Sequence, residues 1–166
     1  MKIAIRVDGN VETGVGHVFR CITLADKLNS YNIKCTFFVR NISKNLLEIL
    51  AQKFEVILLD RIGDTFTATD EYSRWLGVNE RFDAEEFITL ARPGNFKGIV
   101  VDHYGLGYQW ERAVQDNFRF VLVLDDLANR EHSCNLLVDQ SIGRKLSCYS
   151  SLVPQTCTLL IGPKYA

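Results

Sequence analysis

The chain has 166 residues, 47% of them hydrophobic, and a formal net charge of −1 at pH 7. That length fits one domain with a real core, and the dispersed, balanced charge excludes the basic footprint of a nucleic-acid or anionic-membrane binder. No apolar run approaches the ~20 residues of a spanning helix, and Arg6 and Asp8 interrupt the place where a signal peptide needs its apolar core, so no membrane partner is expected and the cytoplasm is the default location.

Lys2–Val7 alternates apolar and polar residues and stops at Asp8-Gly9-Asn10, a turn composition. Gly14-Val15-Gly16-His17 follows and opens a helix running to about Tyr31. Val18, Cys21, Ile22, Ala25 and Leu28 fall on one face of it, while His17 and Arg20, three apart, share another. Ile33–Val39 reads as a strand, Leu46, Leu47, Ile49 and Leu50 as a helix, and Glu55–Leu59 as a short buried strand. Strands separated by helices imply βαβ units, hence a parallel sheet with right-handed crossovers.

Arg61–Glu80, with Gly63 and Gly77, reads as a long excursion with a short helix around Trp75-Leu76. Helical spacing resumes over Ala84–Ala91 and ends at Arg92-Pro93-Gly94. Gly98–Val101 is a strand ending in Asp102-His103-Tyr104-Gly105, and Phe120–Leu124 one ending in Asp125-Asp126, with a helix between them through Trp110, Ala113 and Val114. His132 is read as a surface histidine, Leu136–Val138 and Thr158–Ile161 as strands. Ligands of an open parallel sheet bind beyond the carboxyl ends of its strands, so Asp8–His17, Asp102–Gly105 and Asp125-Asp126 are expected to gather at one edge.

The glycine turn approaches two nucleotide motifs and completes neither. Gly9 and Gly14 have P-loop spacing, but Val15 stands where the phosphate-binding lysine belongs. Gly14-Val15-Gly16 opens like a dinucleotide fingerprint, but Phe19 takes the third glycine's place. ATP hydrolysis by that route and nicotinamide or flavin binding are therefore set aside, and no cofactor is called for. The five cysteines are scattered without a C-x-x-C and lie apart from the histidines, except Cys134 near His132. They are read as neutral thiols, with no metal. Ser-His-Asp catalysis lacks its glycine-flanked serine, and Cys21 is expected to face the core.

What remains is Gly-x-Gly-His-x-x-Arg at a strand-to-helix turn. The positive end of a helix dipole disfavours imidazolium, so a histidine there is kept neutral, as a general base requires. Asp102-His103-Tyr104 offers an acid, an imidazole and a phenol, although the same residues would suit a solvated loop. Asp125-Asp126 would suit a metal, a histidine to orient, or plain solvent.

These blocks together resemble the N-terminal half of the UDP-sugar hydrolases of pseudaminic acid (nonulosonic acid) biosynthesis. The match runs through Arg6-x-Asp8, Gly14-x-Gly16-His17-x-x-Arg20, Trp75-Leu76-Gly77, Asp102-His103-Tyr104-Gly105, Asp125-Asp126 and Gly162-Pro163-x-Tyr165-Ala166. The resemblance implies a Rossmann-like parallel sheet with flanking helices, one half of a glycosyltransferase-B-like fold, with a nucleotide-binding C-terminal domain that has no counterpart here and would complete the cleft. It implies attack of water at the anomeric carbon of a UDP-linked diacetamido-trideoxy sugar, with inversion, in the making of a surface or flagellar glycan. His17 maps onto the family's catalytic histidine. Asp8, Gly14, Gly16, Arg20, Asp102, His103 and Tyr104 are the expected substrate contacts. Two other readings stay open: a glycosyltransferase of the same architecture, in which an acceptor hydroxyl replaces water, and a truncated domain without activity of its own.

Overall fold

A computed structural model describes residues 1–60, 66–68 and 71–166. Seven parallel strands form one sheet: β1 (Lys2–Val7), β2 (Lys34–Val39), β3 (Glu55–Leu58), β4 (Gly98–Asp102), β5 (Phe120–Leu124), β6 (Leu136–Asp139) and β7 (Thr158–Ile161). Their order in space is β3-β2-β1-β4-β5-β6-β7. The chain works outward from β1 to β3, then crosses back to lay β4 on the other side of β1. The direction of winding therefore reverses between β1 and β4, and a crevice opens at their carboxyl ends, where such sheets take their ligands.

The period of two in β1 divides its side chains between two layers. Ile3, Ile5 and Val7 join the apolar stripe of α1 (Gly16–Asn29) and that of α2 (Lys44–Ala51). Ala4 faces the opposite layer, with Phe87 of α4 (Glu80–Ala91) and Trp110 of α5 (Tyr108–Val114), and α3 (Glu71–Leu76) adds Leu76 there. Among the described residues no helix is long and apolar enough to cross a membrane.

Arg6 also points into that second layer, and the fold answers it with buried charge. Arg6 Nη1 donates to Asp8 Oδ1 at 2.6 Å, while its Nε and Nη2 donate to Asp83 on α4 at 3.1 and 2.8 Å. Arg40 and the indole N–H of Trp110 donate to the same Asp83 carboxylate. Arg6, Asp8, Arg40 and Asp83 are all at most 2% exposed. Burial pushes the Asp8 and Asp83 carboxyls up, but the charge and hydrogen bonds of Arg6, joined by His103 at Asp8 and by Arg40 at Asp83, together outweigh it and hold both below the usual carboxylate range.

Four local expectations need amendment. The first helix stops at Asn29, and Asn32, at φ 60°, turns the chain into β2. β3 is an edge strand with one neighbour, so it is half-exposed rather than buried, with Leu58 55% exposed. α4 starts a turn before the apolar spacing does, because the Asn79 side chain caps it, accepting the Phe82 N–H at 2.8 Å. His132 is not on the surface. It is 1% exposed, with Nδ1 2.7 Å from Glu111 Oε1, because Glu111 sits on the inner side of α5 and requires buried donors. The expected short helix near Trp75-Leu76 is α3, while Gly63 lies outside the described residues.

Candidate active site

The turn between β1 and α1 is held by its own polar groups. Asn10 Oδ1 accepts the backbone N–H of Glu12 and Thr13, and Thr13 Oγ1 accepts that of Asn10. Gly14, at φ 79°, adopts the left-handed conformation that glycine accommodates without strain. The first turn of α1 has no side-chain cap and no acidic residue, so its N–H groups and positive dipole end are left for a ligand. A Cβ added at Gly14 or Gly16 would meet nothing within 4 Å, so the space in front of the turn is open.

His17, Arg20 and Cys21 stand at i, i+3 and i+4 on α1 and converge on Asp102, the last residue of β4. His17 Nδ1 lies 2.6 Å from Asp102 Oδ1. Arg20 grips the same carboxylate with Nε to Oδ2 at 2.5 Å and Nη2 to Oδ1 at 2.6 Å, and Cys21 Sγ lies 3.5 Å from Oδ2. Asp102 is wholly buried. Its desolvation would raise the carboxyl, but hydrogen bonds from Arg20 and His17, with the Arg20 charge, hold it ionised.

That carboxylate decides the tautomer of His17. Arg20 Nη2 also comes within 3.0 Å of His17 Nδ1. If Nδ1 were the bare nitrogen, however, it would face Asp102 Oδ1 at 2.6 Å with two acceptors in contact. The proton therefore sits on Nδ1 and is donated to Asp102, a carboxylate–imidazole arrangement that leaves a lone pair on Nε2. Nε2 has no protein partner among the described residues.

Tyr104 closes one side. Its ring meets the His17 ring edge-on at 4.5 Å, and its hydroxyl donates to Asp126, which also accepts from Arg20 Nη1 at 2.8 Å. Burial and the Asp126 carboxylate push the phenol well above its usual value, so it stays protonated. Arg20 is thus fully engaged between Asp102 and Asp126, and serves the site as a brace rather than as a free cation.

Asp8 and His103, expected among the substrate contacts, lie beneath the site at 2% and 5% exposure. His103 Nδ1 accepts the Gly105 N–H at 2.9 Å, so its proton is on Nε2, which faces Asp8 Oδ2 at 3.3 Å. Together they tie the turn carrying Asp102 and Tyr104 to the buried Arg6 network. Asp125 is buried as well, held by Arg130 and Tyr149, whereas Asp126 reaches the site. In the sequence alone, Asp126 fits a metal, a histidine or solvent equally, and Asp83 carries one local signal, an acid next to the apolar positions of α4.

The depressed carboxyls set an acid limit. Asp102 and Asp83 titrate lower folded than unfolded, so their contribution is present above about pH 4 and is lost as pH falls through the folded values. Circular dichroism followed downward from pH 7 should show a flat stability plateau, then cooperative unfolding below about pH 4.

No protein-family model matches the chain. The UDP-2,4-diacetamido-2,4,6-trideoxy-beta-L-altropyranose hydrolase of Campylobacter jejuni is 24% identical over 166 residues, all of this chain and 51% of that protein. An uncharacterized protein of Methanocaldococcus jannaschii is 41% identical over 58 residues, 34% of this chain and 12% of that one. The crystal structure of Acinetobacter baumannii MurG superposes with a TM-score of 0.59 at 10% identity, over 96% of this chain and 44% of that one. The chain therefore spans about half the length of the Campylobacter relative, to which it is distantly related, and has the Rossmann-like fold of part of the MurG chain.

Proposed function

We propose that this chain forms the base-bearing wall of a UDP-sugar hydrolase that delivers water to the anomeric carbon with inversion. The observation that carries the reading is the His17–Asp102 pair at the β1/β4 crevice, with the imidazole proton fixed on Nδ1 and Nε2 left to accept. His17 Nε2 would take a proton from water as its oxygen bonds to the anomeric carbon. The bond from that carbon to the phosphate oxygen would break, and UDP would leave with the electron pair. UDP is a good leaving group, so a placed water, a base and stabilised phosphate charge meet the main needs.

The uncapped start of α1, beside Gly14 and Gly16, is the place we assign to the diphosphate. Asp102 and Arg20 hold the base, and Asp8 and His103 support them from below. The distant relationship to a named UDP-sugar hydrolase supports this substrate class. The relative is about twice as long, which supports a second domain supplying the nucleotide contacts. A diacetamido-trideoxy sugar destined for nonulosonic acid synthesis in the cytoplasm is the finer form of the proposal.

The test is release of UDP by the intact protein from a UDP-linked diacetamido sugar with no acceptor present. Stoichiometric UDP and free sugar are expected. UDP appearing only when an acceptor is added would assign the same base to glycosyl transfer.

A further inference from the structure

Cys134, just before β6, and Cys157, just before β7, turn their thiols toward each other with the sulfurs 3.6 Å apart. We propose that this pair is an oxidation site, at which hydrogen peroxide or an organic hydroperoxide forms an internal disulfide that ties the β7 edge of the sheet to the core. The inference is independent of the hydrolase reading, because it uses neither His17 nor Asp102.

The fold brings the two together across 23 residues. Cys134 is 2% exposed in the layer that holds Val121 and Leu137, and Cys157 packs against the same layer, half-buried. The Asn135 carbonyl accepts the Thr158 N–H at 2.9 Å, and the Pro154 carbonyl accepts the Cys157 N–H at 2.9 Å, so the backbone beside both sulfurs is held. A disulfide needs about 2.05 Å, which each sulfur reaches by moving less than about 1 Å. The other cysteines are placed elsewhere. Cys21 and Cys35 are buried in the layer on the opposite face of the sheet, and Cys148 is exposed in the helical turn Leu146–Cys148.

The two thiols are unequal. The hydrogen bond to Cys157, burial and the Glu111 carboxylate hold the Cys134 thiol well above its ordinary value, and the same bond draws the Cys157 thiol below its own. Cys157 is also the sulfur that solvent reaches, so it is the nucleophile. Its thiolate attacks one peroxide oxygen: the S–O bond forms, the O–O bond breaks, and hydroxide leaves to take a proton from solvent. Cys134 Sγ then attacks the sulfenic sulfur. The S–S bond forms, the S–O bond breaks, and the departing hydroxide takes the Cys134 proton as water. Two thiols and one peroxide thus give one disulfide and two waters, the sulfurs losing the two electrons that the peroxide gains.

The crosslink would close the base of the loop that supports the site. Within that loop, Tyr149 donates to Asp125 Oδ2 at 2.7 Å and to Asp139 Oδ2 at 2.8 Å, and Arg144 Nη2 donates to the Asp126 carbonyl. β7 has β6 as its one neighbour, so the sheet's edge is secured by the same bond. Both sulfurs precede the amino ends of their strands, whereas the β1/β4 crevice opens at carboxyl ends. Oxidation therefore stabilises the fold by constraining the unfolded chain and leaves the His17–Asp102 pair in place.

The test is to treat the intact, fully reduced protein with stoichiometric hydrogen peroxide, folded and in urea, and to map thiols and disulfides by mass spectrometry. The folded protein is expected to lose two hydrogens, to yield a Cys134–Cys157 crosslinked peptide, and to close it at least about tenfold faster than in urea. Its melting temperature should rise by about 5 °C or more and return on reduction with dithiothreitol. In Cys134→Ala, which has no second sulfur, dimedone should trap the sulfenic acid at Cys157. Crosslinks through Cys148, oxidation of Cys148 with the pair still reduced, equal rates folded and in urea, or an unchanged melting temperature would each overturn the proposal. The mapping on the unaltered protein decides the matter even if the variant does not fold.

Discussion

Replacing His17 by Asn is expected to lower UDP release by about 10²–10⁴-fold, the usual contribution of a positioned general base, while the fold and UDP affinity persist. Asparagine can still donate an N–H toward Asp102 but has no nitrogen able to take a proton. The buried Asp102 carboxylate keeps both bonds from Arg20, so no uncompensated charge is created. His17 is also partly open to solvent, which limits the cavity its loss leaves. Steady-state rates, a UDP titration and a urea midpoint measured on one preparation separate the two effects. A lost rate with an unchanged midpoint is the expected pattern, and retained turnover would remove His17 from the mechanism.

The second large effect is on stability. Asp83→Ala should destabilise the protein by about 3–5 kcal/mol, the range for breaking a buried ion pair by deleting one partner. Asp83 accepts from Arg6, Arg40 and Trp110 at a position with no exposure to water. Without it, Arg6 keeps Asp8 alone as an acid partner among the described residues, and the indole N–H loses its acceptor. A loss of that size is a substantial part of the 5–15 kcal/mol that holds a typical domain together. The urea midpoint should fall with little change in slope. A shift under about 1 kcal/mol would mean that the layer reorganises around the two guanidinium groups.

The sheet was legible because its strands are local patterns with polar ends. β1 and α1 could be read from a change of period from two to about three and a half within thirty residues. The convergence of Asp102 on the glycine turn followed from parallel topology, since both lie at carboxyl ends. Pair identities were not legible. His17 meets Asp102 across 85 residues, Arg6 meets Asp83 across 77, and no period in a single sequence encodes such distances. His132 looked like a surface residue because its loop is polar, yet Glu111 in the neighbouring helix draws it inside. Asp8 and His103 belong to a motif beside the site and point away from it, a distinction of side-chain direction that motif spacing does not carry.

Arg20 shows the same limit at the site itself. Its place three residues after His17 put it correctly on the same helix face, but not its partners. Asp102 and Asp126 occupy the guanidinium from two strand ends.

In the proposed reaction, water activated by His17 attacks carbon rather than phosphorus. Turnover of a UDP-linked diacetamido sugar in ¹⁸O-labelled water, read by mass spectrometry at early times, tests it directly. Label is expected on the anomeric hydroxyl of the released sugar, with unlabelled UDP. Label in the terminal phosphate of UDP would contradict it.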